Sequence, residues 1–212
     1  MSELGGQLTS NLGDLAFSLP GLYAPELKRE SARTLLVSIH LEEYADAVLE
    51  MLGAIDRLGL VDEVLFISLD EESVAITGDI ARLFKPEQVR VSRYRYDGSI
   101  TEVIDLLANA SCVVTSKLHG AITSYVYNVP ALLFCYQRKC VEFLNDRGLP
   151  GPREPLPSAT ACVATVTNML TGQCEMPRFT SAADHIEAFG RFLDALKSGS
   201  VGDGERVGTV FR

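Results

Sequence analysis

Apolar, β-branched runs recur along this chain, and each is followed by a stretch with helical spacing. Residues 34–39, 63–69, 88–92, 112–115 and 130–135 read as strands. Residues 42–58, 73–84, 118–127 and 138–147 read as helices, and Ser99 opens a further helix that runs to Asn109. The strands are apolar along their length rather than alternating, which is the pattern of a parallel sheet covered on both faces. Repeated strand–helix alternation of this kind predicts a single Rossmann-like, doubly wound α/β domain of about five strands.

Local signals sharpen the boundaries. Tyr44, Ala47, Val48, Met51, Leu52 and Ile55 are spaced to bury one helical face. Ser99 stands three residues before Glu102, a capping-box pattern. Gly148 is a candidate C-cap. Before residue 34, Gly5, Gly6, Gly13, Pro20, Gly21 and Pro25 break any regular element, so 1–33 reads as an irregular segment. The α/β domain is expected over 34–197, with a loop carrying four prolines at 149–157 and late helices at 160–170 and 182–197. Residues 198–212 read as a fraying, glycine-rich tail.

Composition narrows the class of partner. A net charge of −9 argues against a basic nucleic-acid binder, although a local site can still be cationic. The start of the chain lacks the charged and apolar regions of a signal peptide, and no apolar run is long enough to span a bilayer. Cys112, Cys135, Cys140, Cys162 and Cys174 are odd in number and lack paired ligand spacing, so free thiols in a reduced, cytoplasmic setting are expected and a zinc site is not.

The chemistry concentrates where strands give way to helices. Ser116, Lys117, Leu118, His119 and Gly120 follow the fourth strand directly. A parallel strand ending at a helix N-terminus makes an anion site, because backbone N–H groups and the helix dipole point outward. Lys117 supplies a point charge there, Ser116 a hydroxyl, and Gly120 room for close approach. His119 adds a group that exchanges protons near neutrality. Ser38 and His40 close the first strand on alternate positions of the same edge. Tyr136, Arg138 and Lys139 follow the fifth strand, where a tyrosine and two cations suit an anion; the cations fit equally well a solvated helix start. Asp14 either orients a group in the cleft or caps a turn. Arg93 and Arg95, interleaved with Tyr94 and Tyr96, read as a solvated strand end, and His185 as a structural residue of a late helix.

Taken together, Thr115-Ser116-Lys117-Leu118-His119-Gly120-Ala121-Ile122, Asn128-Val129-Pro130-Ala131, Tyr136-Gln137-Arg138-Lys139, Phe143-Leu144 and Gly148-Leu149 resemble the polysaccharide pyruvyl transferase family, as does Gly13-Asp14-Leu15-Ala16-Phe17. The resemblance covers about residues 12–150. It implies the C-terminal half of a GT-B-like architecture, with an active site facing a second Rossmann-like domain. It implies phosphoenolpyruvate as donor, no separate cofactor, and a saccharide acceptor that receives pyruvate as a ketal. It also implies donor binding by Lys117, Leu118 and His119, with His119 in acid/base catalysis. Lys117 departs from the family's arginine, and His40 stands where the family often has another. A separate N-terminal-domain subunit or a homo-oligomer is the partner such a half implies. A nucleotide-sugar glycosyltransferase of GT-B type and a non-catalytic interaction subunit are the other readings.

Overall fold

The computed structural model describes residues 15–27, 32–175, 186, 187, 190, 191 and 194. By its internal contacts the chain divides into two compact units, Pro25–Arg178 and Met1–Ala24 with Phe179–Arg212. In the second of these, a 3₁₀ turn at Leu15–Ser18 leads into a short helix, α1 (Leu19–Leu22). Of the helix expected over 182–197, residues 186, 187, 190, 191 and 194 are described and are helical, and Asp14 and His185 lie outside the described residues.

Within Pro25–Arg178 five strands form one sheet: β1 (Thr34–Ser38), β2 (Glu63–Ser68), β3 (Arg90–Arg95), β4 (Cys112–Thr115) and β5 (Ala131–Leu133). Their order is β3-β2-β1-β4-β5 and every pairing is parallel. The order reverses between β1 and β4. In open sheets of this kind that reversal leaves a crevice at the carboxyl ends of the two strands. The register there pairs Ser38 with Thr115.

Six helices connect and cover the strands: α2 (Ala45–Leu58), α3 (Glu71–Leu83), α4 (Ile100–Ala108), α5 (Leu118–Val126), α6 (Arg138–Asp146) and α7 (Ala159–Leu170). On one face Leu35, Val37, Val64, Phe66, Val114 and Leu132 share a core with Val48, Met51, Leu52 and Ile55 of α2, Ile80 of α3 and Val166 of α7. Neighbouring strand residues point to the opposite face. There α5 packs on β4 and β5 and meets α4, with Ile104, Leu107, Ile122 and Tyr125 buried. Both faces are therefore covered, which is why β1 and β4 have nowhere to place a polar side chain until their ends.

Most element ends fall within a few residues of the sequence reading, and the instructive differences are at β3, α3 and the cap of α4. β3 spans Arg90–Arg95, not 88–92. It is one of the two outer strands, paired only with β2, so its Arg-Tyr-Arg alternation is that of a strand with one solvated side. Helix α3 begins at Glu71 rather than Ser73, because Asp70 and Ser73 cap each other: Ser73 N donates to Asp70 Oδ1 at 2.9 Å, and Asp70 N donates to Ser73 Oγ at 3.0 Å. Ser99 does cap α4, but Glu102 does not return the bond; its carboxylate accepts from Tyr94 Oη at 3.1 Å. The five cysteines are free, and four are buried.

Candidate functional site

Five of the expected site residues, Ser38, His40, Ser116, Lys117 and Tyr136, meet at the switch point, and a hydrogen-bond framework holds its centre. Beyond the last paired residues, Ser116 N donates to Ser38 O at 3.2 Å, carrying the β1–β4 ladder one step further. That step buries Ser116 completely against the turn after β1. Its Oγ accepts from His40 N at 3.0 Å and lies 2.6 Å from His40 Nδ1. The turn is fixed from its other side by α3: Ile39 N donates to Thr77 Oγ1 at 3.0 Å, and Thr77 Oγ1 donates to Ile39 O at 2.7 Å. The Tyr136 ring meets the His40 ring edge-on, with centroids 5.0 Å apart. Ser38 is buried, and its Oγ has no hydrogen-bond partner among the described residues.

Lys117 is the N-cap of α5, and its backbone N–H donates to Thr115 Oγ1 at 2.9 Å. Its ammonium pairs with Asp70 Oδ2, the oxygen of that carboxylate not used to cap α3. The Lys117 side chain is only 18% exposed. Partial burial alone would raise the Asp70 carboxyl, but Lys117 and the N–H and hydroxyl of Ser73 outweigh it and hold the group below its ordinary value. His40 is pushed below the usual histidine range, first by burial and then by Lys117, with Asp70 and Glu72 pulling the other way.

The remaining expected residues divide. Leu118 is half-buried and His119 is exposed in the first turn of α5. Gly120 is buried, and a Cβ there would come within 3.2 Å of Thr115 Oγ1, so the glycine allows α5 to sit close on the end of β4. Arg138 is solvated, with its side chain 91% exposed and its Nε paired to Glu142 at 2.7 Å on the same helix; Lys139 is exposed beside it. Neither is hydrogen-bonded to the His40–Ser116–Lys117 group. Asp70 was not singled out from the sequence. The only signal for it was Asp-x-x-Ser at a helix start, which marks a cap and not a partner for a lysine 47 residues away. Next to it, at the carboxyl ends of β2 and β3, lies an open cleft of about 190 Å³ lined by Asp70, Glu71, Arg95 and Tyr96 among others. Arg95 and Tyr96, read as mere strand end, are thus part of the same rim.

The family model for polysaccharide pyruvyl transferase matches residues 9–138. This chain belongs to the polysaccharide pyruvyl transferase family. The match takes in β1 to β5 and the whole His40–Ser116–Lys117–His119 group. Among curated proteins, none matches the sequence. Among solved structures, the family member resembles the UDP-GlcNAc 2-epimerase of Methanocaldococcus jannaschii, with a TM-score of 0.57 and 13% identity over 78% of this chain and 46% of that one. A structure of that epimerase in complex with UDP-GlcNAc and UDP gives a TM-score of 0.55 at 14% identity, over 78% and 45% of the two chains. A Listeria monocytogenes protein assigned as a UDP-N-acetylglucosamine 2-epimerase gives 0.55 at 15% identity, over 82% and 50%. At such identities the likeness is one of fold, Rossmann-like and of GT-B type. This chain spans about half the length of these structures. Among the described residues, no helix is long and apolar enough to cross a membrane.

Proposed function

We propose that this chain is the donor-binding half of a cytoplasmic pyruvyl transferase, taking phosphoenolpyruvate at the β1–β4 switch point and passing pyruvate to a sugar as a ketal. The observation that carries the reading is the convergence of His40, Ser116 and Lys117 on the one crevice where this strand order leaves room for a ligand. Membership of the pyruvyl transferase family supports phosphoenolpyruvate as the donor in this reading.

The chemistry asks for three things. The phosphate and carboxylate of the donor need positive potential, which Lys117 and the first-turn N–H groups of α5 supply. The methylene carbon must gain a proton before C2 becomes electrophilic, and His119, exposed in that first turn, is the group to give it. One sugar hydroxyl then bonds to C2, the C2–O bond to phosphate breaks, and a second hydroxyl closes the ketal; both hydroxyl protons leave to His119 and the departing phosphate. Charge moves from the enol phosphate to free phosphate during these steps, so a fixed cation is most useful beside the leaving group. A second domain facing this one would contribute acceptor contacts and exclude water.

Isothermal titration with phosphoenolpyruvate tests this directly. Binding by the folded chain, weakened about tenfold or more in Lys117→Ala, is the expected result; no heat from the folded wild-type chain sinks the reading. With acceptor and partner present, His119→Ala should lower turnover about a hundredfold or more while binding persists. Thermal protection by UDP-GlcNAc but not by phosphoenolpyruvate would favour a nucleotide-sugar enzyme instead. Protection by neither, together with stable association on sedimentation, would favour an interaction subunit.

A further inference from the structure

We propose that Ser116 locks His40 as a neutral imidazole protonated on Nε2, and that this Nε2–H is a hydrogen-bond donor to an oxygen of the anionic ligand at the switch point. The ligand half of the inference rests on the phosphoenolpyruvate reading. The tautomer half stands on the hydrogen count alone.

A serine hydroxyl has one hydrogen to give and two lone pairs to receive with. Ser116 Oγ already receives the His40 backbone N–H at 3.0 Å, so one lone pair is used. Its other neighbour is His40 Nδ1 at 2.6 Å, and two arrangements fit that distance. If Nδ1 carried a proton, Oγ would accept twice, and its own hydrogen would have no acceptor inside a fully buried residue. A buried donor without a partner suffers its whole desolvation penalty. If Nδ1 is bare, the hydroxyl donates to it and every group is satisfied. The count therefore assigns the proton of the ring to Nε2.

The surroundings hold the ring in that form. Lys117 faces it from the start of α5, Asp70 and Glu72 from the start of α3, and the Tyr136 ring from the end of β5. The two carboxylates favour the imidazolium, yet burial and the lysine prevail. Asp70 is itself engaged by Lys117 and by the α3 cap. Thr77 grips the backbone of Ile39 through both its N–H and its C=O, which fixes the turn that presents His40 to Ser116. Nε2 makes no hydrogen bond to a described residue, and His40 is only half-buried. It is, with the buried Ser38 Oγ, an unspent polar atom of the group, and it belongs to the less buried residue of the two.

A neutral donor does a different job from a cation. It offers a directed N–H to a carboxylate or phosphate oxygen without adding charge, and it gives up no proton over the physiological range. Two histidines at one crevice then divide the work: His119 exchanges a proton, and His40 only holds an oxygen. Ser116 acts through His40 and is a positioning residue.

Long-range imidazole ¹⁵N–¹H correlation on the uniformly labelled chain reads the tautomer. The chain has three histidines, and His40→Gln identifies the signals of His40. Expected are a bare Nδ1 and a protonated Nε2 at about pH 8, with the ring gaining its charge only below the ordinary histidine value. Ser116→Ala should mix the tautomers and raise the titration of the ring. A proton on Nδ1 of the neutral ring, or a wild-type ring that charges above the ordinary histidine value, overturns the lock; both are read on the wild-type chain, with His40→Gln used only to assign the signals. Added phosphoenolpyruvate should shift Nε2–H, His40→Ala should weaken its binding about tenfold, and His40→Gln, which keeps an N–H, should restore most of the loss. Binding with an unmoved His40 Nε2 overturns the donor role. Failure of phosphoenolpyruvate to bind at all overturns the proposed function and the ligand half together, and leaves the tautomer measurement to decide the rest.

Discussion

The two rims of this parallel sheet carry similar residues and use them differently. At the amino rim, charge is closed upon itself. Asp56, near the end of α2 and 3% exposed, accepts the backbone N–H groups of Glu87, Gln88 and Val89 at 2.7, 3.1 and 2.9 Å. Asp62 receives both the backbone and the side chain of Arg33, and Glu63 holds Arg90 and Ser92. At the carboxyl rim, groups are held in place but not used up. His40 keeps a nitrogen in hand, Ser38 Oγ is unbonded among the described residues, and the Lys117 ammonium leans on a carboxylate that is half-exposed. Polar groups satisfied on every side stabilise a fold, while groups fixed but unsatisfied are ready for a ligand.

This contrast breaks if substitutions at the two rims have the same consequences. The largest effect is expected from Asp56→Ala, which leaves the N–H groups of Glu87, Gln88 and Val89, the last of them buried, without their carboxylate acceptor. Denaturant unfolding should show a loss of about 3 kcal/mol, and phosphoenolpyruvate affinity of the folded fraction should not change. Burial alone would raise the Asp56 carboxyl, but the three N–H groups hold it below its ordinary value. A folded pKa below the unfolded one gives stability that is complete above the unfolded value, about 3.9, and is lost as pH falls through the folded one. Midpoints measured from about pH 5 downward should therefore fall steeply in the wild type and less so in Asp56→Asn.

Next in size is Lys117→Ala, at the other rim. Its stability cost should stay below about 1 kcal/mol, since the pair with Asp70 is partly solvated. Its cost in phosphoenolpyruvate affinity should be about tenfold or more, or 1.4 kcal/mol. A Lys117→Ala chain that unfolds readily but binds normally would reverse the assignment of the rims. The smallest effect sharpens the boundary of the site. Arg138→Ala with Lys139→Ala should change affinity by less than about twofold, because both side chains are solvated and screened. A larger loss would extend the site to the end of β5.

How much of this was readable in the chain follows from how local each interaction is. The strands at 34–38 and 112–115 were legible because burial on both faces forces an apolar run. The sheet order was not legible, since the adjacency of β1 and β4 joins segments far apart in sequence. β3 was placed two residues early, because an outer strand with one wet side imitates a loop in composition. Within the site, Ser116, Lys117 and His119 could be found from a strand-to-helix junction. The His40–Ser116 contact could be anticipated only as a shared edge. The Lys117–Asp70 pair had no sequence signature, because the cap that positions Asp70 is local to α3 while its second oxygen reaches across the sheet.

The double duty of Asp70 gives the molecule a built-in reporter. One oxygen pins the opening turn of α3, and the other is tethered to the lysine at the crevice. A guest that draws the ammonium toward itself slackens that tether. Deuterium would then enter the amides of Ser73 and Val74 faster, so occupancy becomes visible in a helix that never touches the guest.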